Sequence, residues 1–138
     1  MLITRRAEFS ASHVCRNPAL SSEQNQAIYG AESNPRGHGH NFVLEVTLEG
    51  EPDPVTGMVY ALKKLKQIVE SEIVQPFDHR FLNLEVAPFD RVVPTAENMA
   101  IEIWTRLEPC FREPGIRLRS VRLYQTEDLY VDYDGAGS

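Results

Sequence analysis

The sequence predicts an α+β domain in the order ββααββ, with two helices covering one face of a four-stranded antiparallel sheet. Three observations predict it. Apolar residues alternate at period two over 2–13 and again over 38–48. They repeat at helical spacing in two central segments, around 59–73 and 96–107. A last pair of short strand-like runs follows, over 117–125 and 130–133. Strand faces need period two and helix stripes need three-to-four spacing, so the three patterns separate cleanly. Runs of strands divided from a block of helices point to α+β architecture.

In the first strand Ile3, Ala7, Phe9, Ala11 and His13 share one face. Residues 15–37 are polar and rich in Asn, Ser, Pro and Gly, with a short helix expected around Ser21–Ile28. A connection this long is often functional. In the second strand His38, His40, Phe42, Leu44, Val46 and Leu48 share a parity. Antiparallel pairing of these two strands brings His13 near His38 and His40. After the turn residues 51–57, Val59, Leu62, Leu65, Val69 and Ile73 form a helical stripe, which Pro76 is expected to end. Segment 77–94 reads as irregular. Thr95 is the expected N-cap of the second helix, whose stripe is Ala96, Met99, Ala100, Ile103, Trp104 and Leu107. The tail 134–138 is expected to fray. Residues 1–138 read as a single domain, and no repeat or linker divides them.

Composition excludes some functions. A net charge of −6 with no basic run is a poor match to a nucleic-acid surface. No apolar stretch approaches the roughly 20 residues of a membrane span. With no signal-peptide pattern and only Cys15 and Cys110, the expected location is the cytoplasm.

All four histidines fall into two patterns. His13, His38 and His40 offer three imidazoles and no accompanying thiolate set, which suits a catalytic metal with an open fourth position better than a structural site. The bland alternative is three strand histidines satisfied by hydrogen bonds. Asp78-His79 offers a carboxylate beside an imidazole, a common proton-transfer pair, or an ordinary solvated loop pair.

Five motifs together carry a family resemblance: Phe9-Ser10-Ala11-Ser12-His13, Gly37-His38-Gly39-His40-Asn41-Phe42, Gly57-Met58-Val59, Asp78-His79-Arg80-Phe81-Leu82-Asn83 and Pro94-Thr95-Ala96-Glu97-Asn98. In order and spacing the chain resembles the 6-pyruvoyltetrahydropterin synthase / 6-carboxytetrahydropterin synthase family from about Glu8 to Tyr133. The long segment between the first two motifs resembles the pyruvoyl branch. The resemblance implies a tunnelling fold, in which sheets of several subunits join into barrels, usually a homohexamer built as a dimer of trimers. It implies Zn2+ held by His13, His38 and His40, and a small-molecule pterin triphosphate, 7,8-dihydroneopterin triphosphate, as substrate. It implies proton relay by Asp78 and His79, and pterin binding by Thr95, Glu97 and the residue at position 125.

Three positions depart from the family pattern. The family's base is a cysteine six residues before the first histidine of His-Gly-His; here that residue is Glu32. A carboxylate, with an ordinary pKa of about 4.3, needs burial to serve as that base. Family members with this glutamate are associated with side-chain cleavage to 6-hydroxymethyl-dihydropterin, a folate-pathway step. Position 125, usually glutamate, is Gln125, which presents one acceptor and one donor group where two acceptors are usual. Glu97 is the best substitute acid, ahead of Glu127 and Asp128. Ala61 stands where Asp or Asn is usual, an expected structural change. Cys15 is either a stand-in thiolate or a small buried residue beside the site.

The functional expectation is a zinc-dependent lyase acting on 7,8-dihydroneopterin triphosphate, with Glu32, Asp78 and His79 catalytic and Thr95, Glu97 and Gln125 binding substrate. The alternatives are 6-pyruvoyl- or 6-carboxy-tetrahydropterin synthesis, the latter of queuosine type, and a non-catalytic zinc-bearing protein that binds a pterin or purine.

Overall fold

A computed structural model describes residues 1–136 of the chain. Five strands form one sheet in the order β3-β1-β2-β4-β5. The four long ones are β1 (Leu2–His13), β2 (His38–Gly50), β4 (Ile116–Thr126) and β5 (Leu129–Tyr133), and their pairings are all antiparallel. The fifth, β3 (Arg80–Phe81), lies in the segment expected to be irregular and pairs parallel with Ala11 and Ser12 at the edge of β1.

Alternation decides which face is buried. Phe9, Ala11 and His13 of β1, with Phe42, Leu44, Val46 and Leu48 of β2 and Leu118, Val121 and Leu123 of β4, point into the core. The helices lie over that face. α5 (Ala96–Leu107) buries Ala96, Met99, Ala100, Ile103 and Leu107, five of the six stripe positions, and half-buries Trp104. Its N-cap is Thr95, whose Oγ1 accepts from the Asn98 amide at 3.2 Å.

α2 (Leu62–Val69) runs through a π-helical turn (Glu70–Val74) into α3 (Gln75–Phe77). The buried set is Leu65, Val69, Ile73 and Phe77. Leu62, expected in the stripe, is 60% exposed. Spacing of four drifts around a 3.6-residue helix, and the wider π turn returns Phe77 to the buried side. The helix also passes Pro76 and ends one residue later than expected. Gln75 donates to Glu70 five residues back, so the turn is already opened where Pro76 brings no amide hydrogen. Ala61, the N-cap of α2, makes no capping hydrogen bond, which gives its departure a structural meaning.

The long excursion after β1 is ordered. α1 (Ser22–Tyr29) starts with a reciprocal capping box between Ser21 and Gln24 and leads into a 3-10 turn (Gly30–Ser33). A short helix α4 (Leu82–Glu85) follows β3. Gly135 adopts φ +80 against the Trp104 indole, where a Cβ would lie 2.6 Å from Cζ2. Residues 137 and 138 of the expected frayed tail lie outside the described residues. Among the described residues no helix is long and apolar enough to cross a membrane.

Candidate active site

The β1–β2 register builds the first part of the site. His13 lies opposite His38, and Ala11 lies opposite His40. Directly paired residues project to one face, so all three imidazoles meet on the core side at the end of the sheet. Ala11 is small, which leaves room for the His40 ring. The three rings stand within 4.6–5.1 Å of one another by centroid.

His13 is fully buried. Its Nδ1 donates to the Pro94 carbonyl at 2.7 Å, which leaves the Nε2 lone pair facing inward. Nε2 lies 3.1 Å from His38 Nε2. Burial first, and then the neighbouring histidines, depress the pKa of His13, against the raising effects of Pro94 and Glu32; burial and His38 depress that of His40. Both imidazoles are therefore held toward the neutral form that ligates metals.

The 3-10 turn brings Glu32 to the same point. Its backbone carbonyl accepts from the Cys15 amide at 2.9 Å, which ties the end of the excursion to the end of β1. The carboxylate Oε2 lies 2.9 Å from His38 Nε2 and 3.4 Å from His13 Nε2, and Oε1 lies 4.0 Å from His40 Nε2. One ligand atom from each of His13, Glu32, His38 and His40 falls within a 4.8 Å span. Among the described residues, the His40 Nε2 and His38 Nδ1 atoms are buried without a hydrogen-bond partner. An unpaired Nε2 on a ring aimed at two other imidazoles and a carboxylate is a costly arrangement for hydrogen bonding and a favourable one for a cation. The residues present fit a metal ion.

Cys15 is buried beside this cluster, with Sγ 3.7 Å from Glu32 Oε2 and 3.8 Å from the Pro94 carbonyl. Burial and the Glu32 carboxylate push its pKa up to about 12, so it stays a thiol at neutral pH. β1 ends at His13, so a continuing strand is not what brings Cys15 here.

Asp78 and His79 dock on the edge of β1. The Ser10 amide donates to Asp78 Oδ1 at 2.8 Å, and the His79 amide donates to the Ser10 carbonyl at 2.6 Å. Asp78 Oδ2 lies 2.8 Å from His79 Nδ1. The Ser10 amide first, and then His79, hold the Asp78 carboxyl below the usual carboxylate range. His79 sits at φ +59, an uncommon conformation for a residue with a side chain. Its imidazole is 83% exposed. Among the described residues no hydrogen bond or ion pair joins Asp78 or His79 to the four-residue cluster. His79 shares with His40 a cleft of about 590 Å³ lined by Ser10, Ser12 and Asn41.

The remaining expected residues surround the cluster unevenly. Thr95 caps α5 directly after the Pro94 carbonyl that holds His13. Glu97 is exposed in the first turn of α5, and its charge is felt at Cys15. Gln125 donates from Nε2 to Glu32 Oε1 at 3.2 Å, a contact between two departures that the sequence gives no reason to join. Gln125 also lines, with Arg6, His40, Asn41, Tyr124 and Glu127, a second cavity of about 720 Å³.

Sequence reasoning missed three supporting groups. The Pro94 carbonyl is a backbone atom and carries no side-chain signal. Ser10 acts on Asp78 and His79 through its backbone alone. Asn83 continues β1 by side chain: it accepts from the Val14 amide at 2.8 Å and donates to the Val14 carbonyl at 3.0 Å. A polar residue between Leu82 and Leu84 was the available signal.

The fold and site define a class: an α+β protein with a half-buried cluster of three histidines and a glutamate suited to a metal, beside an Asp-His pair on an open cleft. The chain matches the family described as 6-pyruvoyl tetrahydropterin synthase over residues 2–136 and belongs to it. It is 44% identical over 133 residues to the human 6-pyruvoyl tetrahydrobiopterin synthase, covering 96% of this chain and 90% of that one. It is 33% identical over 132 residues to a putative 6-carboxy-5,6,7,8-tetrahydropterin synthase of Archaeoglobus fulgidus, covering 96% and 94%. The structure of the Caenorhabditis elegans 6-pyruvoyl tetrahydropterin synthase superposes with a TM-score of 0.92 at 37% identity, covering 99% of this chain and 96% of that one.

Proposed function

We propose that this protein is a zinc-dependent lyase acting on 7,8-dihydroneopterin triphosphate. The observation that carries the reading is the placement of the Glu32 carboxylate against three converging imidazoles. His13, His38 and His40 would hold Zn2+, which supplies Lewis-acid polarisation of a substrate oxygen. Glu32 stands where it can take a proton from the substrate side chain. Asp78 orients His79, whose exposed ring can move a proton at the other side of the cleft. Gln125 lines a cavity of ligand size, and the family resemblance adds Thr95 and Glu97 to the residues that would bind the heterocycle.

With a carboxylate base the reading favours side-chain cleavage. Glu32 takes the proton of the second side-chain hydroxyl, and the bond between the two hydroxyl-bearing carbons breaks. The outer fragment leaves as an aldehyde carrying the triphosphate. A proton returned through His79 to the inner carbon gives 6-hydroxymethyl-dihydropterin. No oxidant or reductant is needed.

The sheet ends in two edge strands, β3 and β5, and the His79 ring is left in the open. Joining edges between copies removes exposed backbone donors and acceptors. The reading therefore includes a homo-oligomer whose neighbouring copy covers the cleft, and the family resemblance makes that oligomer a hexamer. A monodisperse, fully active monomer in sedimentation would exclude it.

The test of function is incubation of zinc-loaded protein with 7,8-dihydroneopterin triphosphate and mass analysis of the product. 6-Hydroxymethyl-dihydropterin is expected, and Glu32→Ala should abolish its formation. The pyruvoyl or carboxy compound would support synthase activity. Pterin binding with no product would support a binding protein.

A further inference from the structure

We infer that Gln125 is a positioning residue that latches the Glu32 carboxylate over the three-histidine site. The inference rests on the reading of Glu32 as the base and assigns the group that aims it. Glu32 sits on a short 3-10 turn and its side chain is 35% exposed, so the turn alone does not fix the carboxylate. The two oxygens are divided between two sets of neighbours. Oε2 faces His38 and His13, with the Cys15 thiol behind it. Oε1 takes the Gln125 amide at 3.2 Å.

The backbone at Gln125 is shaped for this contact. The β2–β4 ladder stops at Val43 and Tyr124, and the β4–β5 register slips between Tyr124 and Thr126. Gln125 is thus the extra residue of a bulge, the device by which a strand re-aims one side chain next to a site. It reaches across 93 residues of sequence to Glu32.

The chemistry of the pair is directional. A carboxylate only accepts, so the amide must turn its NH₂ to Glu32 and keep its carbonyl oxygen for the cavity side. A second carboxylate at 125 would offer Glu32 Oε1 no donor, and the contact would be lost. Positions 32 and 125 therefore form a donor–acceptor pair, with the neutral donor at 125.

Four proteins test this: the wild type, Gln125→Met, Glu32→Ala and the double variant. Gln125→Met keeps side-chain length and removes the donor. Three readouts apply. In the visible absorption of the Co2+-loaded proteins, Glu32→Ala and Gln125→Met should shift the spectrum in the same direction, and the double variant should match Glu32→Ala. Fluorescence titration of the metal-free proteins with an oxidised, unreactive pterin measures the loss of the carbonyl contact in Gln125→Met, so that weaker binding is separated from the effect on Glu32. In turnover, Gln125→Met should lower kcat at saturating substrate by about 10- to 100-fold, beyond any rise in KM, the scale of a misplaced reacting group, and add no further loss of kcat to Glu32→Ala. An unshifted Co2+ spectrum in either single variant overturns the latch. So does a loss that multiplies in the double variant, or one that appears wholly in pterin affinity. A wild type without turnover refutes the proposed function and leaves the Co2+ spectra to decide the latch by themselves.

Discussion

His13→Ala and His40→Ala remove one member each of the same histidine cluster, yet their effects on the metal-free fold should differ sharply. His13 is fully buried and its Nδ1 is the donor to the buried Pro94 carbonyl at 2.7 Å. Truncation leaves that carbonyl with only the weak Cys15 thiol donor at 3.8 Å, a cost of about 1–3 kcal/mol. Loss of the ring packed against Phe42 adds roughly 1–2 kcal/mol for the cavity left behind. The sum, about 2–5 kcal/mol, corresponds to a fall of roughly 6–20 °C in Tm for a domain of this size. His40 has ring contacts but its Nε2 bonds to nothing among the described residues. Its removal deletes a buried unpaired nitrogen along with those contacts, and the net cost should be about 1 kcal/mol or less. With Zn2+ at about 100 times its Kd, the wild type should gain about 2.7 kcal/mol, and both variants should lose most of that gain. The assay is thermal unfolding of chelator-treated and zinc-loaded proteins, with bound metal counted by elemental analysis. Equal destabilisation of the two metal-free variants, or a full zinc-induced rise in either, would falsify the reasoning.

Three further outcomes follow from the geometry around this cluster. His79→Ala should keep full metal stoichiometry and lose turnover by about 10²-fold or more; release of the metal would place His79 among the ligands instead. Asn83→Ala breaks both bonds to Val14 and should cost about 2 kcal/mol in urea unfolding, whereas a loss under about 0.5 kcal/mol would mean that water replaces the side chain at no penalty. Asp78→Asn tests the docking of the Asp-His pair. Because the folded pKa of Asp78 is lowered, its carboxylate stabilises the fold above the unfolded value, about 3.9, and that contribution is lost as pH falls through the lower folded value. The Tm gap between wild type and Asp78→Asn should therefore be largest near neutrality and close at acid pH; a gap that widens toward acid would contradict the sign.

Several parts of the site were legible in the chain because strand and helix periods are local. Parity in 2–13 and 38–48 placed three histidines on apolar faces, and antiparallel pairing then left little freedom in where they meet. The α5 stripe and its Thr95 cap were equally local. What failed was also local in origin. Leu62, the first residue of α2, lies exposed outside the buried stripe, and Pro76 stands inside the helix because the π turn before it had already opened the backbone ladder. Two-residue β3 offers too short a pattern to read, and it exists because Asp78 and His79 clamp the chain to the exposed edge at Ser10.

The sequence by itself determined the chemical inventory: three imidazoles on one sheet face, an Asp-His pair, a glutamate six residues before His38, and a glutamine near the end of a strand. Only the tertiary structure decided which of these act on one another. Gln125 and Glu32 are 93 residues apart, and their contact depends on a bulge that turns one residue out of register. Cys15 is kept protonated by burial against the Glu32 carboxylate, a relation set by the 3-10 turn and invisible to spacing. His13 is oriented by the carbonyl of Pro94, a group every residue possesses and no sequence pattern marks. Periodicity fixes the face on which a side chain lies, but hydrogen bonds between distant segments form only when backbone turns bring donors and acceptors within about 3 Å.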